Sequence, residues 1–249
     1  MIRKILVGLL AAKSLIFAGE INIAAAADLK FALTEIIKIY ETSNKGETVK
    51  TTFGASGKLT AQITEGAPFD LFFAANISYP ERLKAVGMTF GEIKPYAVGR
   101  LVILTKKGSG VDVKQGANVL LNPKVEKIAI ANPDVAPYGK AAVEALKSFG
   151  VYDKVQNKIV KGENAQQAAT FGITGAADVA IVAHSLALQP SVAKDTESFL
   201  IPASAHAKMV QGYVMTKKGA DNPGAKKFLT FFESKDGDAI LKKYGFTLE

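Results

Sequence analysis

The stretch Phe53-Gly54-Ala55-Ser56-Gly57-Lys58 follows a β-like run, 48–53, and precedes a helix-like run that begins at Leu59. Its two glycines allow a tight turn and bring the backbone close to a ligand. Ser56 stands where we predict the N-cap of the helix, beside N–H groups that have no intrahelical partner. Those groups and the positive end of the helix dipole favour an anion. The stretch therefore predicts a strand–turn–helix unit with an anion site, and a capped helix without a ligand is the simpler alternative.

Two other motifs that contain Gly, Ser and Lys do not fit this turn. A Walker A loop needs a glycine five residues before its Gly-Lys pair and a hydroxyl residue after it, but Thr52 and Leu59 occupy those positions. A nucleophile elbow needs Gly-x-Ser-x-Gly, and Lys58 stands at its last position. The sequence therefore does not predict nucleotide binding or serine hydrolase chemistry at this turn.

The composition is that of an ordinary soluble globular protein. The chain has 249 residues, of which 48% are hydrophobic and 22% charged, and its formal net charge is +8. This length accommodates one large or two medium domains. Because the chain contains no cysteine, disulfides, thiolate zinc sites, thiol catalysis and a lipoprotein anchor are excluded.

The N-terminus has the pattern of a secretory signal peptide over residues 1–18. Arg3 and Lys4 precede a short apolar run, 5–12, and a small residue stands at Ala18. The apolar run is shorter than the roughly 20 residues of a transmembrane helix. Cleavage after Ala18 would remove three cationic side chains and leave a net charge of +5. The signal-peptide pattern predicts a periplasmic location.

Strands alternate with helices along the rest of the chain, which predicts an α/β fold with mostly parallel sheets flanked by helices. The predicted strands are 20–26, 48–53, 71–74, 101–105, 127–131, 158–161, 179–183 and 211–215. The predicted helices are 29–40, 59–65, 80–86, 140–149, 165–173, 223–233 and 235–244. Because the pattern changes near 96–100, we predict two lobes, lobe I from 19–99 and 211–249 and lobe II from 100–210.

Four strand-to-helix turns carry small or polar residues: Ala27-Asp28, 54–57, 137–139 and 162–165. Ligands bind at the carboxyl ends of strands in such sheets, and two of these turns belong to each predicted lobe. The turns offer backbone N–H groups and the hydroxyls of Ser56 and Tyr138. Donors without acceptors favour an oxyanion that carries no proton. We therefore predict one anion site between the lobes, with no cationic side chain required; a half-buried packing role is the alternative for Tyr138.

Catalysis is not predicted. The only histidines, His184 and His206, have no metal-ligand spacing. Four acidic residues might be paired, but helix caps and turns explain them more simply: Asp28, Asp70, Asp134 and Glu163. Two alternatives stay open, a secreted hydrolase that uses Asp28 or Asp134, and a receptor for a different small anion. An organic anion would need an arginine clamp or an aromatic pocket, and the chain has only three arginines.

Several stretches together carry a family resemblance. They are Ala24-Ala25-Ala26-Ala27-Asp28-Leu29, the stretch 53–59, Gly66-Ala67-Pro68-Phe69-Asp70-Leu71-Phe72, Ala131-Asn132-Pro133, Pro137-Tyr138-Gly139 and Tyr244-Gly245-Phe246. The chain resembles the periplasmic molybdate-binding proteins of ABC importers, which have a two-lobed type II periplasmic-binding-protein fold. The resemblance covers nearly the whole chain after the signal peptide.

The resemblance implies that molybdate or tungstate is held by hydrogen bonds between the lobes. Ser56 falls on the family's ligand serine, and Tyr138 on a position that supplies a backbone N–H or a tyrosine hydroxyl. Ala165 falls on a backbone donor at a helix start, and Ala27 and Asp28 cover the first turn. The implied partners are a membrane permease and its ATPase. No cofactor, bare metal cation or nucleic acid is implied, and the protein is expected to be a monomer that closes by hinges near 96–100 and 210–214.

Two positions depart from the family pattern. Asp28 stands where some members have a hydroxyl residue, and a carboxylate there would repel a dianion by several kcal/mol in a dry site. We expect Asp28 to turn away, cap its own helix and offer its backbone N–H. Ala183 stands where some members place a ligand tyrosine, which we expect Tyr138 to replace from the neighbouring turn.

Overall fold

The computed structural model describes residues 19–248, so the predicted signal peptide lies outside the described residues. Its strands are β1 Glu20–Ala26, β2 Thr48–Gly54, β3 Leu71–Ala74, β4 Thr89–Gly99, β5 Leu101–Lys106, β6 Ile128–Ala131, β7 Ile159–Gly162, β8 Val179–Ala183, β9 Thr196–Leu200 and β10 Met209–Thr216. Its α-helices are α1 Lys30–Ser43, α2 Ser56–Thr64, α3 Ser78–Ala85, α4 Pro137–Ser148, α5 Tyr152–Val155, α6 Ala165–Thr174, α7 His184–Ala187, α8 Pro190–Ala193, α9 Pro223–Phe232 and α10 Lys235–Lys243. Within this part of the chain, no helix combines the length and apolarity needed to cross a membrane.

Two five-stranded sheets with the same arrangement organise the chain. Sheet I has the order β2-β1-β3-β10-β4, and sheet II has the order β7-β6-β8-β5-β9. In each sheet the first three strands are parallel, whereas β10 and β5 run antiparallel to both of their neighbours. The two predicted α/β series are present, and four of the five strands in each sheet run in the same direction, with β10 or β5 opposite to the rest.

The chain passes between the sheets at two adjacent places. Strand β4 ends at Gly99 and β5 begins at Leu101, so one passage is a single residue. The return passage leads into β10, where Met209 pairs with Gly99. We call the part built on sheet I lobe I and the part built on sheet II lobe II. Both passages therefore lie side by side at one edge of the space between the lobes.

An aromatic cluster fills the core of lobe I. Phe73 on β3 is fully buried and contacts three other rings, with centroids 4.8 Å from Phe232, 5.3 Å from Tyr213 and 6.1 Å from Tyr96. The rings come from β3, β4, β10 and α9, so this cluster joins the antiparallel half of sheet I to the C-terminal helices. Aromatic pairs at these distances stabilise a core beyond the area that they bury.

Truncation of Phe73 should therefore destabilise lobe I. We expect Phe73→Ala to lower the free energy of unfolding by ~3–5 kcal/mol, the usual cost of removing a buried ring. Urea denaturation followed by circular dichroism measures the change. Phe90→Ala is the matched control, because that ring is 51% exposed and its loss should cost less than about 0.5 kcal/mol. Equal effects of the two substitutions would contradict the assignment of the core.

Candidate functional site

A small, partly open cavity lies between the lobes. Its walls are made of small or polar residues of both lobes: Ala26, Ala27, Asp28, Gly54, Ala55, Ser56, Ala75, Ala136, Pro137, Tyr138 and Ala165. All five residues that the sequence singled out are among them. The lining includes no Lys, Arg or His, so a charged ligand there would meet no cationic side chain.

Four helix starts surround the cavity. A 3-10 turn, Ala27–Leu29, follows β1 and continues into α1, and α2, α4 and α6 follow β2, β6 and β7. These strands are parallel within their sheets, so their carboxyl ends meet at one edge of each sheet. First-turn N–H groups have no intrahelical partner and carry the positive end of the helix dipole. The fold thus brings positive backbone dipoles from both lobes to one small space.

Ser56 is the first residue of α2, and its N-cap is Ala55, so the prediction that Ser56 is the N-cap is wrong by one position. Its side chain is fully buried, and its Oγ accepts a hydrogen bond of 3.0 Å from the backbone N–H of Ala75. A serine hydroxyl can accept and donate at once. With Oγ fixed as an acceptor, its proton is left for an acceptor in the cavity that it lines.

Ala27 and Ala165 contribute backbone rather than side-chain chemistry. Both are almost fully buried and stand at the first position of their helical segments. Beside Ala165, the N-cap Asn164 accepts a hydrogen bond from the N–H of Gln167 at 3.0 Å. The cap therefore takes the third N–H of α6 and leaves the first one beside the cavity.

Asp28 does not cap its own helix, so that prediction is wrong. Neither the 3-10 turn nor α1 has a side-chain cap, and the Asp28 Oδ2 instead accepts a hydrogen bond of 2.8 Å from Gln211 Nε2 on β10. The side chain is buried and its Oδ1 has no hydrogen-bond partner. Burial raises the pKa of the Asp28 carboxyl to about 6, against the opposing effect of hydrogen bonds from Gln211 and Tyr138.

The Tyr138 hydroxyl joins the same polar cluster. It accepts a hydrogen bond of 2.8 Å from Gln211 Nε2, which also donates to the Asp28 carboxyl. Burial and the charge of Asp28 hold the pKa of Tyr138 well above its usual value. Tyr138 belongs to α4 in lobe II, whereas Asp28 and Gln211 belong to lobe I. We call these three side chains the interlobe triad.

Sequence reasoning missed Gln211. The signal available was a lone amide in the buried strand β10, because a buried polar side chain needs a polar partner. Which partner it would find is not encoded locally, since Asp28 lies 183 residues away along the chain.

Other contacts close the lobes over the cavity. The backbone N–H of Gly57 in lobe I donates to the carbonyl oxygen of Val135 in lobe II at 2.9 Å. A Cβ at position 57 would lie 2.8 Å from that oxygen, so only glycine allows this approach without a shift. Lys58 and Glu163 form an exposed ion pair of 3.4 Å across the same seam. Ser185 of lobe II donates to the backbone carbonyl of Asp28 at 2.9 Å.

The remaining acidic and basic candidates do not join the cavity. Asp70 is buried elsewhere and accepts from the N–H of Asn22 at 2.7 Å, while Asp134 and Glu163 are exposed. Ala183 ends a buried strand and is not part of the cavity wall. Across residues 19–248, no group of three or more His, Asp or Glu side chains could hold a metal ion. Asp28 is therefore the one acidic candidate among the residues that line the cavity.

Comparison with known proteins identifies the family. The model of the bacterial extracellular solute-binding proteins matches residues 21–247. The molybdate-binding protein ModA of Rhodobacter capsulatus is 36% identical over 93% of this chain and 90% of its own length. The solved periplasmic molybdate-binding protein of Azotobacter vinelandii superposes with a TM-score of 0.84 at 31% identity, over 92% of this chain and 99% of that one. A solved substrate-binding domain of a putative molybdenum ABC transporter from Clostridium difficile gives a TM-score of 0.68 at 28% identity, over 92% and 99%.

These matches extend over nearly all of the described residues and include both lobes. The two-lobed α/β fold predicted from the sequence is confirmed by the likeness to a solved periplasmic binding protein. The relatives are named as binding proteins, not as enzymes. The chain therefore belongs to the family of bacterial extracellular solute-binding proteins, and its predicted resemblance to the molybdate-binding members is confirmed.

Proposed function

We propose that this protein is the periplasmic receptor of a molybdate import system and that it holds the oxyanion in the cavity between its lobes. The observation that supports this function best is the cavity itself. Four helix starts from two lobes and one buried serine hydroxyl surround a space that no cationic side chain lines. The relatives named as molybdate-binding proteins support the choice of ligand.

The backbone N–H groups of Ala27, Asp28, Ser56, Tyr138 and Ala165 are the proposed donors, since each belongs to the first turn of a helical segment. A tetrahedral dianion has four oxygens that must each replace their water with donors. Hydrogen bonds to a charged acceptor are roughly twice as strong as neutral ones. The side-chain hydroxyl of Ser56 adds a further donor, with its orientation fixed by Ala75.

Tyr138 contributes through its backbone in this proposal. The resemblance allowed either its N–H or its hydroxyl, but the hydroxyl already accepts a hydrogen bond from Gln211 in lobe I. Its N–H stands at the second position of α4, after Pro137, which has no N–H to offer. The hydroxyl would thus hold the lobes together while the backbone meets the ligand.

Closure would bring the two halves of the site together. With lobe I taken as 19–99 and 211–249 and lobe II as 100–210, the hinges would lie near 96–100 and 210–214, where the end of β4 and the start of β10 pair beside the two passages. Ligand contacts made from both lobes favour the closed form, because an open form offers only half of the donors. The closed receptor would then dock as a monomer on a membrane permease whose ATPase drives transport. The signal peptide, 1–18, would direct export to the periplasm and would then be removed.

Isothermal titration calorimetry of the protein without residues 1–18 tests the function. We expect binding of molybdate, and of tungstate because it has nearly the same size and shape, with weaker or no binding of the smaller sulfate. Phosphate should bind poorly, since it carries a proton at neutral pH and most of the site consists of donors. Heat with phosphate or an organic anion and none with molybdate would favour a receptor for a different anion. Turnover of an ester that is lost in Asp28→Asn would favour a hydrolase.

Replacement of Ser56 tests the side-chain donor. We expect Ser56→Ala to weaken molybdate binding by ~1–3 kcal/mol, the cost of leaving a charged acceptor without a donor. The same titration measures the change. Ser78→Ala is the matched control, because Ser78 also begins a helix but lies outside the cavity wall. An unchanged affinity in Ser56→Ala would exclude the hydroxyl as a ligand donor.

Replacement of Gly57 tests closure. A methyl group at this position would press on the Val135 carbonyl, so we expect Gly57→Ala to weaken molybdate binding by ~1–3 kcal/mol without lowering the stability of the ligand-free protein. Small-angle scattering should show less ligand-induced compaction than in the unsubstituted protein. Lys58→Ala is the control, because it removes an exposed ion pair across the same seam that is worth less than about 1 kcal/mol. Full compaction in Gly57→Ala would show that the contact between residues 57 and 135 does not limit closure.

A further inference from the structure

The interlobe triad is short of hydrogen-bond donors. Gln211 Nε2 donates to both Asp28 Oδ2 and the Tyr138 hydroxyl. Two buried acceptors remain without any partner, Asp28 Oδ1 and Gln211 Oε1. Buried acceptors in folded proteins almost always have a donor. The cluster would therefore accommodate one more proton, and Oδ1 is a free position for it.

No cation offsets the charge of Asp28. The titratable groups that face it are Tyr138 on α4 and Tyr96 on β4, and both are neutral because their pKa values lie well above the usual range. Strand β10 presents the neutral Gln211, α7 presents the neutral Ser185, and the cavity wall contains no Lys, Arg or His. Arg100, at the passage between the lobes, directs its side chain to the carbonyl of Ile201 at 3.5 Å.

The oxyanion would add two negative charges close to this carboxyl, because Asp28 is one of the residues that line the cavity. An ionised Asp28 would repel the ligand, whereas a protonated Asp28 is neutral and gains a donor. With the lobes in contact, burial alone raises the pKa of Asp28 to about 6, so that a further rise caused by the ligand places protonation within the neutral range.

We propose that Asp28 takes up one proton from solvent when the oxyanion binds, so that ligand binding and protonation of the interlobe triad are coupled. The proton stands on Oδ1, no bond between heavy atoms is made or broken, and the proton returns to solvent when the ligand leaves. Asp28 acts as a selectivity-determining residue, because a neutral carboxyl does not repel a dianion held by the backbone N–H of the same residue. This inference rests on the proposed function, which supplies the dianion.

Calorimetry in buffers of different ionisation enthalpy tests the coupling. We expect molybdate binding at pH 7.5 to take up close to one proton per ligand, read from the slope of the observed heat against buffer ionisation enthalpy. The affinity of the unsubstituted protein should weaken by up to about tenfold per pH unit between pH 6.5 and 8.5, since protonation must accompany binding. Asp28→Asn should bind molybdate with no proton uptake and with an affinity that changes less than about twofold over this range.

Asp134→Asn is the matched control, because this carboxyl is exposed and lies outside the cavity wall. It should retain the full proton uptake and pH dependence. Infrared difference spectroscopy of the unsubstituted protein with labelled aspartate provides a measurement that does not depend on folding of a variant, and it should show one protonated carboxyl appear with molybdate. Binding of molybdate without proton uptake, an equal uptake in Asp28→Asn, or no new carboxyl band would overturn this inference while leaving the proposed function intact. An absence of molybdate binding would instead overturn the proposed function.

Discussion

The rest of the structure depends on one constraint, the free-energy cost of moving a charge out of water and into the space between the lobes. A buried charge without partners costs far more than a protein of this size has in net stability. The cavity wall contains no cationic side chain, so backbone dipoles must compensate the charge of any oxyanion held there. Each element around the cavity follows from that requirement, because a helix can present its first turn to the ligand only where a strand ends beside it.

The same constraint acts on the protein's own carboxyl. A rise in the pKa of Asp28 from 3.8 to about 6 corresponds to about 3 kcal/mol of folding free energy that is lost when the carboxyl ionises. Because the folded state holds this proton more tightly than the unfolded chain, the contribution is complete below pH 3.8 and is lost as the pH rises through 6. An enclosed acid without a cation is thus a cost at neutral pH. Its position on the cavity wall gives that cost a role in the proposed function.

Much of the fold was predictable because local patterns of apolar and polar residues indicate where its strands and helices lie. Apolar runs interrupted by small or polar turns located the strand ends that carry Ala27, Ser56, Tyr138 and Ala165, and all four reach one cavity. The strands β4 and β9 were not predicted, since both are edge strands with exposed, polar residues and no continuous apolar run. The predicted helix cap by Asp28 was wrong, because a local cap competes with a distant partner, Gln211, that only the folded chain brings near.

The hydrogen bond between Gly57 and Val135 restricts the amino acid at one position and not at the other. On one side the atom involved is a carbonyl oxygen, which every amino acid possesses, so mutational drift at position 135 can change the side chain and leave the hydrogen bond in place. Position 57, in contrast, must lack a side chain, because a Cβ there would lie 2.8 Å from that oxygen. We therefore expect homologous sequences to vary freely at position 135 and to keep glycine at position 57.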